Sequence, residues 1–195
     1  MSIAPHPDYA AIADRLHSLR STVVKIDEHV FRMVNPRYTK DSDIISGKGG
    51  FRAVGRWNLR SKFHCMYASM TPETALQESL ARVRRNHLPD EKALPKTLVC
   101  VAIRVRKALD LTDGQVRQRL NVSEKRMTDP ARWQADNYHN RESITQAIGR
   151  AAASLAFEAL IIPSAADTPH GVNVIVFPEN LLASSELKVV TSVKP

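Results

Sequence analysis

Residues 63–86 read FHCMYASMTPETALQESLARVRRN. The first seven, FHCMYAS, form a short apolar run of the kind a buried strand shows. Thr71 and Pro72 then supply a helix N-cap and a proline at the first helical position. In the helix that follows, Ala75, Leu76, Leu80 and Val83 fall on one stripe. The fold is decided by what surrounds this strand-to-helix unit, because a regular alternation of such units would mean a parallel, doubly wound sheet.

The surroundings do not alternate. Upstream, residues 8–20 carry Ile12, Leu16 and Leu19 at helical spacing after Asp8. HVFRMV (29–34) reads as a strand. Next come 24 aperiodic residues, NPRYTKDSDIISGKGGFRAVGRWN (35–58), holding four of the seven glycines. A loop of that length in a compact domain is usually functional. Downstream, TLVCVAIRV (97–105) is a strand, and residues 112–137 suggest short helices joined by Asp129–Pro130. Ser143 with Gln146 makes a capping box. It opens a helix with Ile144, Ala147, Ile148, Ala151 and Leu155 on its apolar face. ALII (159–162), VNVIVF (172–177) and LKVV (187–190) close the series as strands. The order predicts an α+β fold: a mixed, largely antiparallel sheet with flanking helices. Residues 1–28 are expected to form a helical arm, and residues 29–195 the domain proper.

Bulk properties bound the function. A chain of 195 residues, 43% hydrophobic, fits one domain with a real core. No apolar run reaches membrane-spanning length, and the start of the chain lacks the pattern of a secretory signal. Cys65 and Cys100 lie in apolar runs and read as reduced and buried, which predicts a cytoplasmic protein. Neither CxxC nor HExxH occurs, so no metal site is expected. GxGxxG and GxxxxGK[ST] are also absent, which leaves the common phosphate loops unsupported. The net charge of +8 favours nucleic acid, phosphorylated ligands or an acidic partner. Yet the basic clusters (Arg82, Arg84 and Arg85; Arg104, Arg106 and Lys107) have no interleaved aromatics and fit solvated faces.

Four residues could carry chemistry. Arg56, in the glycine-bearing stretch GRWN (55–58), offers a planar fork of donors for phosphate or carboxylate; otherwise it is a surface arginine. Tyr67, at a strand end, can stack on a flat ring; otherwise it is a core tyrosine. Glu78 lies off the apolar stripe of its helix. It either makes an exposed pair with Arg82 or turns into a cleft, where a carboxylate stabilises a developing oxocarbenium ion. Ser164 follows a buried strand and Pro163, at the kind of strand end where sites gather.

The order of these motifs is more specific than any one of them. GRWN, then Tyr67, then ETALQES with Glu78, then LIIPSA, then GVNVIVFP closely resembles the RES domain family, named for an arginine, a glutamate and a serine. Those residues match Arg56, Glu78 and Ser164. VFRMV and TQAIGRAAA also fit, and the resemblance covers roughly residues 29 to 180. It implies a fold like the ADP-ribosyltransferases, with NAD as substrate and no metal. Members are commonly toxins of bacterial toxin–antitoxin pairs that consume NAD by phosphorolysis or hydrolysis, or pass ADP-ribose to a protein. The usual antitoxin carries a helix-turn-helix domain and covers the active site; no direct DNA binding is expected without it.

The resemblance also implies roles. Arg56 pairs with the NAD pyrophosphate, Arg32 is a second phosphate contact, and Gly55 lets the backbone approach. Trp57 walls or underlies the pocket, and Asn58 fixes the loop or touches a ribose. Tyr67 stacks near nicotinamide, Glu78 holds the nicotinamide ribose, and Ser164 orients ribose or amide. Asn173, in GVNVIVFP, completes the binding set. One departure is that NLRSKF replaces the family's glycine after GRWN, so Arg60 or Lys62 is expected near the pocket. Two other readings remain: a mono-ADP-ribosyltransferase acting on a protein, and a non-catalytic basic nucleic-acid-binding protein.

Overall fold

Period-two burial dominates the middle of the chain, and it builds a barrel. The structure, a computed structural model, describes residues 3–193. Helix α1 (Tyr9–Ser18) leads into strand β1 (Val24–Val34), followed by two one-turn helices, α2 (Asp41–Ile45) and α3 (Lys48–Arg52). Strand β2 (Met66–Ser69) passes into α4 (Pro72–Arg85), and a long β3 (Thr97–Asp110) follows. Four helices come next: α5 (Gly114–Leu120), α6 (Glu124–Thr128), α7 (Pro130–Tyr138) and α8 (Ile144–Ser154). Strands β4 (Ala159–Pro163), β5 (Val172–Val176) and β6 (Glu186–Val193) complete the chain.

β1 pairs antiparallel with β3 along its length, from Val24 opposite Ala108 to Val34 opposite Thr97. Its other edge takes β2, with Phe31 opposite Ser69. β2 takes β5 and β5 takes β4, both antiparallel. β4 then returns to β3 in parallel, with Ala108 opposite Ala159. Five strands thus close on themselves, and β6 is added antiparallel to β3. The mixed, largely antiparallel pairing expected from the sequence is present, but the sheet is a closed barrel. Closure comes from strand length: β3 runs 14 residues, so one edge serves β6 over Leu98–Arg104 and β4 over Ala108–Asp110. Register breaks at Val24/Ile26 and Cys100/Val101 let the long strands coil.

Alternate strand residues sort into two cores. One gathers Val30, Met66, Val101, Ile161 and Val174 from all five barrel strands and so fills the interior. The other gathers Leu160, Ile162, Ile175 and Phe177 from the outward faces of β4 and β5 and covers them with helices. α1 belongs to this second core. Ile12, Leu16 and Leu19 are all buried beside Ile148 and Trp57, so the residues expected as an arm help close the helical layer. β1 begins at Val24, so the expected boundary at 28/29 falls inside a strand. The stretch expected to be aperiodic (35–58) contains α2 and α3, too short to leave a periodic trace. On α4, Ala75 and Leu80 are buried as expected, whereas Leu76 is exposed because the helix is covered on one narrow face only.

α8 positions the future site. Its capping box forms as predicted, with Gln146 Oε1 accepting from Ser143 N at 3.0 Å. The amide end of the same glutamine donates to Gly55 O at 2.9 Å. One turn on, a Cβ at Gly149 would come within 1.9 Å of Trp57 O, so only glycine lets the helix lie on the GRWN turn. Gly→Ala in an ordinary helix interior stabilises by up to about 1 kcal/mol. Gly149→Ala is predicted to do the reverse, because backbone must move. The expected cost is about 1–3 kcal/mol of overpacking, a fall in Tm of roughly 2–4 °C per kcal/mol at this chain length. Thermal unfolding followed by circular dichroism measures it, and an unchanged or raised Tm would refute the reading.

Candidate active site

The GRWN turn is narrow: Gly55 N donates to Asn58 O at 3.1 Å, and Asn58 N to Gly55 O at 3.4 Å. Asn58 is buried and spends its side chain on the loop. Its Nδ2 donates to Gly50 O at 2.6 Å and Ala53 O at 2.7 Å, at the C-terminal half of α3. Its Oδ1 accepts from the Tyr67 hydroxyl at 2.8 Å, and that hydroxyl accepts from Trp57 N at 3.1 Å. Burial raises the Tyr67 pKa well above the usual phenol value, so the hydroxyl keeps its proton and donates. A Cβ at Gly55 would lie 2.5 Å from Asn58 Oδ1 and 2.9 Å from the Tyr67 hydroxyl. The glycine therefore makes room for this internal pair.

Of the two roles expected for each of Trp57 and Asn58, the structure supports the one that underlies the pocket, not the one that lines it. Trp57 is 1% exposed and packs in the helical core under the turn. Asn58, equally buried, fixes the loop. Neither lines the cavity. Arg60 is exposed, and Lys62 lines a separate cavity of about 400 Å³ beside His64 and Glu179, so neither residue of NLRSKF approaches the site. The polypeptide turns away after Asn58 because Trp57 anchors it to α8.

Above the turn lies a cavity of about 330 Å³. Glu78 enters it from α4. Its Oε1 accepts from Ser164 Oγ at 2.7 Å and from Asn173 Nδ2 at 2.6 Å. Arg56 Nη2 stands 3.7 Å from the same oxygen. Among the described residues Oε2 makes no hydrogen bond, and the Glu78 side chain keeps 29% of its surface exposed. Glu78 therefore faces the cleft; the side chain of Arg82, its alternative partner, lies outside the described residues.

Each donor to Glu78 is itself oriented. Ser164 Oγ accepts from Ala166 N and Asp167 N, both at 3.1 Å, which leaves its proton for the carboxylate. Asn173 sits opposite Ser69 in the β2–β5 register, and Ser69 Oγ donates to Asn173 Oδ1 at 2.6 Å, so the amide nitrogen must point at Glu78. Thr74 Oγ1 donates to Asp167 Oδ2 at 2.6 Å and ties α4 to the loop after Ser164. Ser164 is 1% exposed: it supports Glu78 from behind and does not open onto the cavity.

The cleft is cationic. Burial pulls the Arg56 pKa below the usual guanidinium value, and Glu78 opposes the shift. Arg56 also donates to Met127 O at 3.4 Å, at the end of α6. Arg32 donates to Ile44 O, and burial lowers its pKa to about 10, so it remains charged at neutral pH. Arg85 is the third arginine on the wall. Three guanidinium groups against the one carboxylate of Glu78 leave two positive charges, which suits a dianion.

Arg85, read from the sequence as part of a solvated face, lines the cavity, and so does Trp133, to which no sequence motif points. Arg85 carried a signal, since it lies seven residues after Glu78 and thus on the same helix face. Trp133 carried none, because its place depends on how α7 packs. Outside the cleft, each basic cluster has one arginine paired with an acid: Arg84 with Asp90 at 2.6 Å and Arg104 with Asp27 at 3.2 Å. Among the described residues no helix is long and apolar enough to cross a membrane, and no cluster of three His, Cys, Asp or Glu side chains could hold a metal.

The RES domain family model matches residues 29–192. No curated protein matches the chain. Among solved structures, a chain in the crystal structure of the M. tuberculosis MbcT–MbcA toxin–antitoxin complex superposes with a TM-score of 0.72 at 22% identity. The match covers 94% of this chain and 91% of that one, so the two share a fold. With the arginine, the glutamate and the serine of the motif drawn together around one carboxylate oxygen, and the family model spanning most of the chain, this protein belongs to the RES domain family.

Proposed function

We propose that the protein is the toxin of a toxin–antitoxin pair and cleaves the nicotinamide–ribose bond of NAD, passing the ADP-ribosyl group to phosphate or water. One observation carries this reading. Glu78 holds one carboxylate oxygen fixed by Ser164 and Asn173 and keeps the other open, inside a cleft with two excess positive charges. Such an arrangement suits a substrate that combines a diphosphate with a ribose about to become cationic.

In the proposed reaction the arginines bind the diphosphate, and Tyr67 flanks the ring that leaves. The open Glu78 oxygen holds a ribose hydroxyl. As the C–N bond breaks, its electron pair leaves with nicotinamide, which becomes neutral, and positive charge develops on the ribose. The carboxylate stabilises that charge in a partly dry cleft, where a fixed charge acts strongly. The acceptor then attacks the vacated carbon and gives up a proton to solvent. The nicotinamide is already a cationic leaving group, so no metal is needed. Transfer to a protein side chain would use the same cleavage and differ only in the acceptor, consistent with an ADP-ribosyltransferase-like ancestry for the fold.

Glu78→Gln keeps an oxygen to accept from Ser164 and Asn173, so the fold should persist. Loss of the charge is predicted to lower NAD cleavage by about 10²–10³. Nicotinamide release, with and without phosphate, measures this, and wild-type turnover by a folded variant would sink the assignment. Arg56→Lys keeps the charge but loses the bidentate fork. It should raise KM for NAD with little change in Tm; lower stability with unchanged KM would mean that Arg56 only braces the loop.

The partner is proposed to be an antitoxin with a helix-turn-helix domain whose acidic surface plugs the cleft. Supporting this are the net charge of +8 and the fold shared with a chain of a toxin–antitoxin complex. Association should weaken steeply as salt rises, since charge steering is screened beyond about 8–10 Å near physiological ionic strength. A copurifying partner whose binding is insensitive to salt, or that leaves NAD cleavage unimpeded in the complex, would overturn it.

A further inference from the structure

Trp133 is half-buried, lines the cleft, and belongs to neither hydrophobic core among the described residues. The helix that carries it, α7, has no buried residue. Among the described residues the indole makes no ring–ring or cation–ring contact, while the paired rings lie elsewhere, at Phe51/His64, Phe63/Phe177 and Tyr138/His139. A large aromatic face kept beside a cationic cleft, with no ring or cation against it among the described residues, is the form a stacking platform takes.

Its aim is fixed rather than incidental. Four residues after Trp133, Asn137 exchanges two hydrogen bonds with Gln146, both at 2.8 Å. Gln146 in turn holds Gly55 O. Residues four apart share a helix face, so the face of α7 that grips the GRWN turn is the face that presents Trp133. Asp129 caps α7 by accepting from Ala131 N at 3.0 Å, and Arg56 reaches the end of the preceding helix through Met127 O. The wall is thus tied to the GRWN turn through Gln146 at the C-terminal end of α7, and it follows the helix that Arg56 contacts at its N-terminal end.

The cleft also has length. Arg85 lies on the same face of α4 as Glu78, seven residues or about 10.5 Å along the axis. Arg56 is close to Glu78, so Arg85 extends the positive wall beyond the reacting end. A ribose and a diphosphate do not require a second aromatic surface; the remaining half of a dinucleotide does.

We infer that Trp133 is a specificity-determining residue that stacks on the purine of the dinucleotide, with Arg85 as the bordering cation. The inference rests on the proposed NAD cleavage for its kinetic arm and stands apart from it for its binding arm. Base–aromatic stacking depends on ring faces and tolerates replacement of one aromatic by another. Trp133→Ala should therefore raise KM for NAD by about 5- to 150-fold. Trp133→Phe should recover most of that loss, and cleavage of nicotinamide mononucleotide, which has no purine, should be unchanged in both variants. The chain has two tryptophans, and Trp57 is buried. ADP-ribose should therefore quench the intrinsic fluorescence of the wild-type protein, and Trp133→Phe should abolish the quenching; ribose 5-phosphate should quench neither. Equal KM changes for NAD and the mononucleotide would overturn the assignment, as would undiminished quenching in Trp133→Phe. A wild-type protein that leaves NAD intact would overturn the proposed activity, while quenching by ADP-ribose alone would still decide the role of Trp133.

Discussion

One carboxylate oxygen ties the site together. Glu78 Oε1 receives a hydroxyl proton from the loop after β4 and an amide proton from β5, and it faces an arginine from the GRWN turn. Charge-assisted hydrogen bonds of this kind are roughly twice as strong as neutral ones. Removing either donor would leave a partly buried charge short of a partner, so helix, strand and loop are held in one geometry by a shared electrostatic demand. The same contacts leave Oε2 free of hydrogen bonds among the described residues, so the two oxygens of one carboxylate differ in what they hold.

Behind that oxygen stands a second tier. Ser69 sets the Asn173 amide, two backbone N–H groups set the Ser164 hydroxyl, and Asp167 is bonded to Thr74 on α4. A parallel tier fixes the GRWN turn, in which Asn58, Tyr67 and Gln146 satisfy each other and the surrounding carbonyls. Buried networks of this kind are costly when half satisfied and rigid when complete. Rigidity is what the proposed chemistry needs, since charge stabilisation works best when the stabilising groups do not have to reorganise.

Much of this was legible from local rules. The capping box at Ser143, the Thr71–Pro72 helix start and the strands expected at 159–162 and 172–177 follow from cap chemistry and apolar runs, while the strand expected at 97–105 continues to Asp110. The off-stripe position of Glu78 left an exposed pair and a cleft equally open to view, and only the packing of α4 against β5 and the loop after β4 turns it into the cleft. What stayed hidden depends on long-range geometry. Barrel closure needs β1 and β3 to coil through register breaks, which have no residue signature here. Trp57 reads like a ligand-binding aromatic and is a core residue, because a glycine ninety-two positions later lets α8 settle onto it. The first strand begins five residues before the apolar pattern does, since Val24, Lys25, Asp27 and Glu28 are all exposed and leave only Ile26 buried in that stretch.

The β3–β4 pair is parallel, while every other pairing among the described strands is antiparallel. Parallel neighbours cannot be joined by a tight turn and require a crossover. Here the crossover runs from residue 111 to residue 158 and contains α5 to α8. It therefore houses both the helix that seats the GRWN turn and the helix that brings Trp133 to the cleft. The barrel needs this excursion to exist, but not to have any particular shape beyond α8. Insertions and deletions between α5 and α7 would thus reshape the wall of the cleft without disturbing the hydrogen bonds that hold Glu78.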